Sequence, residues 1–135
     1  MIAAAPRIEG NPKALFDLAI RYRTHGLLAE AVAALRRVAQ IDPNNLGVEL
    51  NIGYFLIEDG DFVAAAGEFE QLRRRYPEVP QALYGLALSL HRQRRFQEAI
   101  PLWRQFVAVA PNDAFAPRAQ RFLLEALQSV EEGAG

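Results

Sequence analysis

Cysteine is absent from all 135 residues of the chain, and histidine occurs only as His25 and His91. The first absence excludes disulfide bonds, thiolate nucleophiles and cysteine-ligated metal sites. The two histidines lie far apart in the sequence, and neither a metal-ligand spacing nor a glycine-rich phosphate loop occurs. We therefore predict that the protein is not an enzyme and that it holds no metal or other cofactor.

Excess charge and long apolar runs are also missing. The formal net charge is −1, which creates no long-range field toward nucleic acid or anionic membranes. No run approaches the roughly 18 apolar residues of a membrane-spanning helix, and residues 1–7 lack the basic and apolar regions of a secretory signal. We expect a cytoplasmic protein with no nucleic-acid partner and no membrane insertion.

A pattern that recurs every 34 residues dominates what is present. Three prolines and three alanines lie at this interval: Pro43, Pro77 and Pro111, and Ala31, Ala65 and Ala99. Within each period, apolar residues recur twice at spacings of three and four, with a turn between the two runs. A fixed period of this kind predicts a repeat architecture made of helix pairs.

Capping residues place the boundaries of these helices. Asn11-Pro12 starts the first helix, Gly26 and Gly60 end first helices, and Asp113 caps a seventh helix. We predict an N-terminal arm, a single domain of three repeats with a capping helix, and a disordered tail. The arm comprises residues 1–11. The domain comprises residues 12–130, with repeats at 12–45, 46–79 and 80–113 and the capping helix at 114–130. The tail comprises residues 131–135.

Two local features modify this plan. Pro101 lies about one turn inside a second helix, so we expect a shifted start or a mild kink there. In the seventh helix, Phe122 and Leu123 can cover the open end of the array, whereas Arg118, Arg121 and Glu125 meet water. Such a capping element with a polar outer face keeps a repeat array soluble.

The residues at the repeating positions resemble those of the tetratricopeptide repeat (TPR) family across residues 12–113. They read Leu15, Leu18-Ala19, Tyr22, Gly26, Ala31, Leu35 and Pro43; Ile52-Gly53, Leu56, Gly60, Ala65, Phe69 and Pro77; and Leu83, Leu86-Ala87, Leu90, Ala99, Trp103 and Pro111. Glu49 replaces a usual bulky apolar residue, and Arg94 replaces the turn glycine of the third repeat. The resemblance implies an all-α, right-handed α-solenoid of three helix-turn-helix TPR units with a seventh, capping helix.

The resemblance also implies that the first helices line a concave groove. The candidate ligand-binding residues there are Phe16, Ile20, Arg23, Leu50, Asn51, Tyr54, Ile57, Tyr84, Leu88 and His91, and Asp17 and Arg92 face the same way. Most of them are apolar or aromatic. A monomer rarely leaves so much contiguous apolar surface bare, so the pattern predicts that a partner covers it.

Some TPR proteins hold a ligand's C-terminal carboxylate with a clamp of Lys, Asn and Arg. The matching places here hold Phe16, Ile20, Asn51, Gln81 and Gly85, of which only Asn51 keeps the residue type of the clamp. The lining looks more like that of the small TPR chaperones of bacterial type III secretion, which hold extended hydrophobic segments of their clients.

We therefore predict a non-catalytic protein–protein interaction module that binds an apolar peptide or helix in its groove, as an adaptor, a scaffold or a chaperone. The alternative is a self-assembling TPR protein, a homo-oligomer in which the groove takes another copy. The chain's own arm, with Met1, Ile2, Ala3 and Ile8, is a further occupant left open.

Overall fold

The computed structural model describes residues 10–134, so residues 1–9 of the predicted arm lie outside the described part. Within that part the chain forms seven α-helices and no strand. They are α1 (Pro12–Thr24), α2 (Leu28–Ile41), α3 (Leu46–Glu58), α4 (Phe62–Arg75), α5 (Pro80–Arg92), α6 (Phe96–Val109) and α7 (Ala116–Ala134). The starts of α1, α3 and α5 recur every 34 residues, and so do those of α2, α4 and α6. The all-α helix-pair architecture is confirmed.

Asparagine side chains start α1 and α3. The Asn11 side chain accepts hydrogen bonds from the backbone N–H groups of Lys13 and Ala14, at 3.0 and 3.2 Å, with Pro12 as the first helical residue. Asn45 accepts one from Val48 at 3.2 Å. These bonds satisfy N–H groups that have no partner inside the helix.

Each first helix ends in the same left-handed turn. The residue that makes the turn has a positive φ at all three sites, namely 76° at Gly26, 81° at Gly60 and 63° at Arg94. Behind it, an N–H group bonds back to a carbonyl five residues earlier, as in the 3.0 Å bond from Arg95 to Leu90. Glycine adopts this conformation without the Cβ clash that other residues meet. Arg94 therefore carries backbone strain.

Arg94→Gly should raise the free energy of unfolding by about 0.5–1 kcal/mol. A non-glycine residue in the left-handed region costs about 1–2 kcal/mol, and the greater freedom of glycine in the unfolded chain offsets part of that gain. The cation–π contact of the Arg94 guanidinium with the Phe96 ring, at 5.3 Å, is also lost. Chemical denaturation measures the change, with Gly60→Ala as the converse variant that should destabilise. A lower midpoint for Arg94→Gly would contradict this explanation.

The structure divides into two compact units, one ending at Asp61 and the other beginning at Phe62. In unit 1, α2 packs against α1 and α3; in unit 2, α5 packs against α4 and α6, and α7 packs against α6 and contacts α5. The boundary falls between the two helices of the repeat at 46–79. The single domain over 12–130 stays a prediction.

Unit 2 contains one contact that leaves no room for a side chain. A Cβ atom added to Gly85 on α5 would overlap the ring of Phe69 on α4. Phe69 is completely buried, so its ring has no open space into which it could move. Gly85 is thus needed for the close approach of α4 and α5.

Two boundary predictions differ from the structure. The helix that contains Pro101 has no shifted start, because α6 begins at Phe96, in register with the other second helices; the mild kink, the other outcome expected there, stays a prediction. Pro101 is exposed, so water can reach the carbonyl that lacks its usual N–H donor. The last helix runs over 116–134 rather than 114–130, so residues 131–134 of the predicted tail are helical. There Val130 continues the apolar side of α7 and lines a cleft with Phe96.

Candidate functional site

Seven of the ten predicted ligand-binding residues lie in unit 1, on α1 and α3. A shared cleft and an ion pair link these two helices. Near their first turns they share a cleft of about 370 Å³ whose lining includes Lys13, Phe16 and Asn51. At their last turns the guanidinium of Arg23 forms an ion pair with Glu58 at 2.8 Å. The structure therefore brings Phe16 and Asn51 together in one cleft and places Arg23 beside the end of α3.

An apolar strip remains partly exposed along α1 and α3. Phe16, Leu50, Tyr54 and Ile57 are half-buried, and Ile20 is 37% exposed. We call these five residues the α1–α3 surface. Side chains at this level of exposure retain apolar area that a partner could cover.

Arg23 has an evident structural role. Besides its ion pair with Glu58, its guanidinium lies 5.3 Å from the centroid of the Phe55 ring. Both side chains of the ion pair are substantially exposed, and such pairs contribute about 0–1 kcal/mol. Arg23 thus links the ends of α1 and α3, and its role in ligand binding stays a prediction.

In unit 2 the prediction for Tyr84 is wrong. We expected this side chain to project into a groove, but it is only 4% exposed. Its ring lies 5.3 Å from that of Trp103, and 5.2 Å from those of Phe106 and Phe115. Phe115 comes from the segment that leads into α7. Tyr84 is therefore part of the core that holds α5 and α6 together, and burial raises the pKa of its hydroxyl above the ordinary value.

The prediction that His91 is a groove residue is also wrong. It is 4% exposed, and its Nδ1 accepts a hydrogen bond from the indole N–H of Trp103 at 3.2 Å. With Nδ1 as an acceptor, the neutral ring carries its proton on Nε2, which can donate to Oε1 of Glu125 on α7 at 2.9 Å. His91 thus bridges α6 and α7.

The remaining predicted residue, Leu88, is half-buried and lines a cleft between α5 and α7. This α5–α7 cleft has a volume of about 360 Å³ and is lined by Tyr84, Leu88, Arg92, Arg118, Arg121, Phe122 and Glu125. Sequence analysis assigned the α7 residues to a solvated outer face. The sequence did contain a signal for the α7 side of this cleft, because Arg118, Arg121 and Glu125 are spaced to share one side of a helix. Nothing in the pattern showed that α5 lies beside that face.

Neither a cluster of metal-binding side chains nor a membrane-spanning helix occurs among the described residues. Within residues 10–134, no cluster of three or more His, Asp or Glu side chains could hold a metal ion. None of the seven helices has the length and apolarity needed to cross a membrane.

A sequence profile of the tetratricopeptide repeat matches residues 50–117, half of the chain. The chain belongs to the tetratricopeptide repeat family. Members of this family are generally modules for protein–protein interaction, and the chain is a protein-interaction module. No curated protein sequence matches it significantly.

Solved TPR structures share the fold. MamA (41-end) from Desulfovibrio magneticus RS-1 has a TM-score of 0.80 at 26% identity, over 90% of this chain and 67% of that chain. The first TPR of Spaghetti (RPAP3), solved bound to the HSP90 peptide SRMEEVD, has a TM-score of 0.76 at 16% identity, over 89% of this chain and 95% of that chain. The first TPR domain of human RPAP3 has a TM-score of 0.77 at 18% identity, over 92% of this chain and 98% of that chain.

Proposed function

We propose that this TPR protein binds an apolar segment of a protein partner, either an extended peptide or one face of a helix, on the α1–α3 surface. Both an adaptor and a chaperone of client segments would use such a surface. The proposed compartment is the cytoplasm, on the sequence alone.

The observation that carries the proposal is the set of partly exposed apolar side chains on the two first helices α1 and α3. Phe16, Ile20, Leu50, Tyr54 and Ile57 all belong to α1 or α3 and all keep accessible area. An aromatic side chain such as Tyr54 offers a large contact area with few rotatable bonds, which is the usual property of an energetic anchor.

The character of the surface favours an apolar ligand. The first TPR of Spaghetti was solved with the peptide SRMEEVD, which ends in acidic residues. In this chain the positions that match the family's carboxylate clamp include Phe16 and Ile20, which cannot form ion pairs with a carboxylate. We therefore propose a ligand that buries aliphatic or aromatic side chains, for which the gain is about 25 cal/mol per Å² of apolar area.

Peptide titration tests the proposal. The probe is a fluorescent peptide of alternating Leu and Ser residues, and its control is the same peptide with every Leu replaced by Ser. We expect only the Leu peptide to bind, and Tyr54→Ala to weaken it by about 2 kcal/mol, or about thirtyfold. Ile20→Ala should weaken it less, because part of that side chain stays in water.

The matched control is Ile41→Ala, an isoleucine of similar exposure (43%) on α2. It should leave affinity unchanged. Equal losses for Ile20→Ala and Ile41→Ala would contradict the proposed surface, and so would full binding by Tyr54→Ala. Light scattering at rising concentration tests the competing interpretation, since self-assembly that Tyr54→Ala abolishes would mean that another copy occupies the surface.

A further inference from the structure

Three arginines converge on the α5–α7 cleft of unit 2 without a carboxylate partner. Arg92 comes from the end of α5, and Arg118 and Arg121 come from α7. None of the three forms an ion pair with any carboxylate among residues 10–134. Arg23, Arg73, Arg74 and Arg95, by contrast, do form such pairs. Unpaired guanidinium groups at one concave site attract an anionic ligand.

The only carboxylate that lines this cleft is engaged elsewhere. Glu125 lies one turn beyond Arg121, at a spacing that permits an i,i+4 pair, yet its Oε1 lies 2.9 Å from Nε2 of the buried His91. His91 in turn is held by the indole of Trp103. The Glu125 side chain is 62% exposed but is paired with His91. With three arginines and this one glutamate, the cleft lining has a formal charge of +2.

Aromatic rings hold two of these guanidinium groups at the surface. The Arg92 guanidinium lies 5.8 Å from the centroid of the Phe122 ring, and the Arg118 guanidinium lies 5.3 Å from that of the Phe115 ring. The rings restrict the arginine side chains but leave N–H donors for another acceptor. The order that they impose reduces the entropy lost on binding.

The floor of the cleft adds an apolar element. Leu88 and Phe122 are half-buried there, beside the buried Tyr84. Burial raises the pKa of the Tyr84 hydroxyl, and the charges of Arg118 and Arg92, with a hydrogen bond from Arg118, oppose that rise. At about 360 Å³ the cleft falls within the range of ligand sites.

We infer that the α5–α7 cleft is a second binding site, which takes an acidic peptide segment: Asp or Glu carboxylates bind Arg92, Arg118 and Arg121, and an apolar side chain between them packs on Leu88 and Phe122. A peptide suits this site better than nucleic acid does, because the protein's net charge of −1 supplies no extended basic track for a phosphate backbone. The site goes beyond the proposed function. It lies in unit 2 and uses no residue of the α1–α3 surface.

Fluorescence anisotropy with the full chain tests this site. The probe is a labelled peptide Asp-Glu-Leu-Glu-Asp, and its control is the uncharged isostere Asn-Gln-Leu-Gln-Asn. We expect the acidic peptide alone to bind, with affinity falling as salt is raised, because the contacts at the cleft are partly exposed. Arg118→Gln and Arg121→Gln should each weaken binding about tenfold, or about 1.4 kcal/mol, the scale of one charge-assisted hydrogen bond.

The matched control is Arg104→Gln, an exposed arginine on α6 of the same unit but outside the cleft. It should change affinity less than twofold. The inference is overturned if the acidic peptide fails to bind at about 1 mM, or if Arg104→Gln weakens it as much as Arg118→Gln does. It is also overturned if a single-stranded oligonucleotide binds more tightly than the peptide and through the same arginines. Melting curves for each variant confirm that the fold is kept.

Discussion

Deleting residues 114–135 should abolish the cooperative unfolding of unit 2 and leave a chain that aggregates. The deletion removes Phe122, whose ring stacks on Trp103 at 5.0 Å, together with Phe115 and the partner of His91. Truncating a fully buried aromatic side chain costs about 3–5 kcal/mol. Phe122 is half-buried and Phe115 is 48% exposed, so each contributes less, but both are lost together with the rest of α7. That sum approaches the whole stability of a typical domain, about 5–15 kcal/mol.

Trp103 reports this change directly, because it is the only tryptophan in the chain and is fully buried. In the truncated chain its emission should shift to longer wavelength, as expected for an indole in water. Phe122→Ala is the milder variant and should cost up to about 3 kcal/mol. Leu124→Ala on the same helix changes a side chain that is 66% exposed and should cost less than about 0.5 kcal/mol. A soluble truncation with an unchanged melting curve would show that α7 does not cap the unit.

The helix plan was predictable because it depends on local chemistry. Asn11 and Asn45 cap helices through their own neighbours in sequence, and Gly26 and Gly60 supply the positive φ that the turns need. Each of these signals acts within a few residues, and the 34-residue interval repeats them in register. The first six helices therefore start in register with the repeat, even at Pro101, where propensity alone predicts a shift that does not occur.

The candidate site was harder to predict because exposure depends on residues distant in the sequence. Helical periodicity correctly places Tyr84 on a different side of α5 from Leu83. It does not reveal that Phe115 covers Tyr84, 31 positions later, or that Glu125 reaches His91. Periodicity gives the direction of a side chain, whereas tertiary packing decides whether that direction is open. The unit 1 residues and Leu88 keep the partial exposure that the prediction requires, whereas Tyr84 and His91 do not.

The same limit explains why the role of Gly85 was missed. In the sequence, Gly85 is only the residue at one of the family's clamp positions. A glycine inside a helix is expected to lower the stability of that helix. Its significance depends on the ring of Phe69, which arrives from another helix. Gly67, by contrast, has open space where its Cβ would be. Two helical glycines that look alike in the sequence therefore have opposite roles.

Gly85→Ala and Gly67→Ala should consequently change stability in opposite directions. Both gain the helix propensity of alanine, about 0.8–1 kcal/mol. Gly67→Ala keeps this gain, since its methyl group meets no neighbouring atom. At Gly85 the added Cβ overlaps the ring of Phe69, which is completely buried, and overpacking of a rigid core costs about 1–3 kcal/mol and sometimes more. We expect a net loss of about 2 kcal/mol for Gly85→Ala.

A double-mutant cycle identifies Phe69 as the cause. Phe69→Leu alone should destabilise unit 2 by leaving a cavity, but in the Gly85→Ala background the smaller side chain makes room for the methyl group. The loss of stability in the double mutant should then be smaller than the sum of the two single losses by about 1 kcal/mol or more. This is the coupling energy expected between residues in contact. Chemical denaturation of the four proteins measures this coupling. Additive losses would show that the alanine at position 85 acts through something other than the Phe69 ring, and that α4 and α5 do not require a glycine at their closest approach.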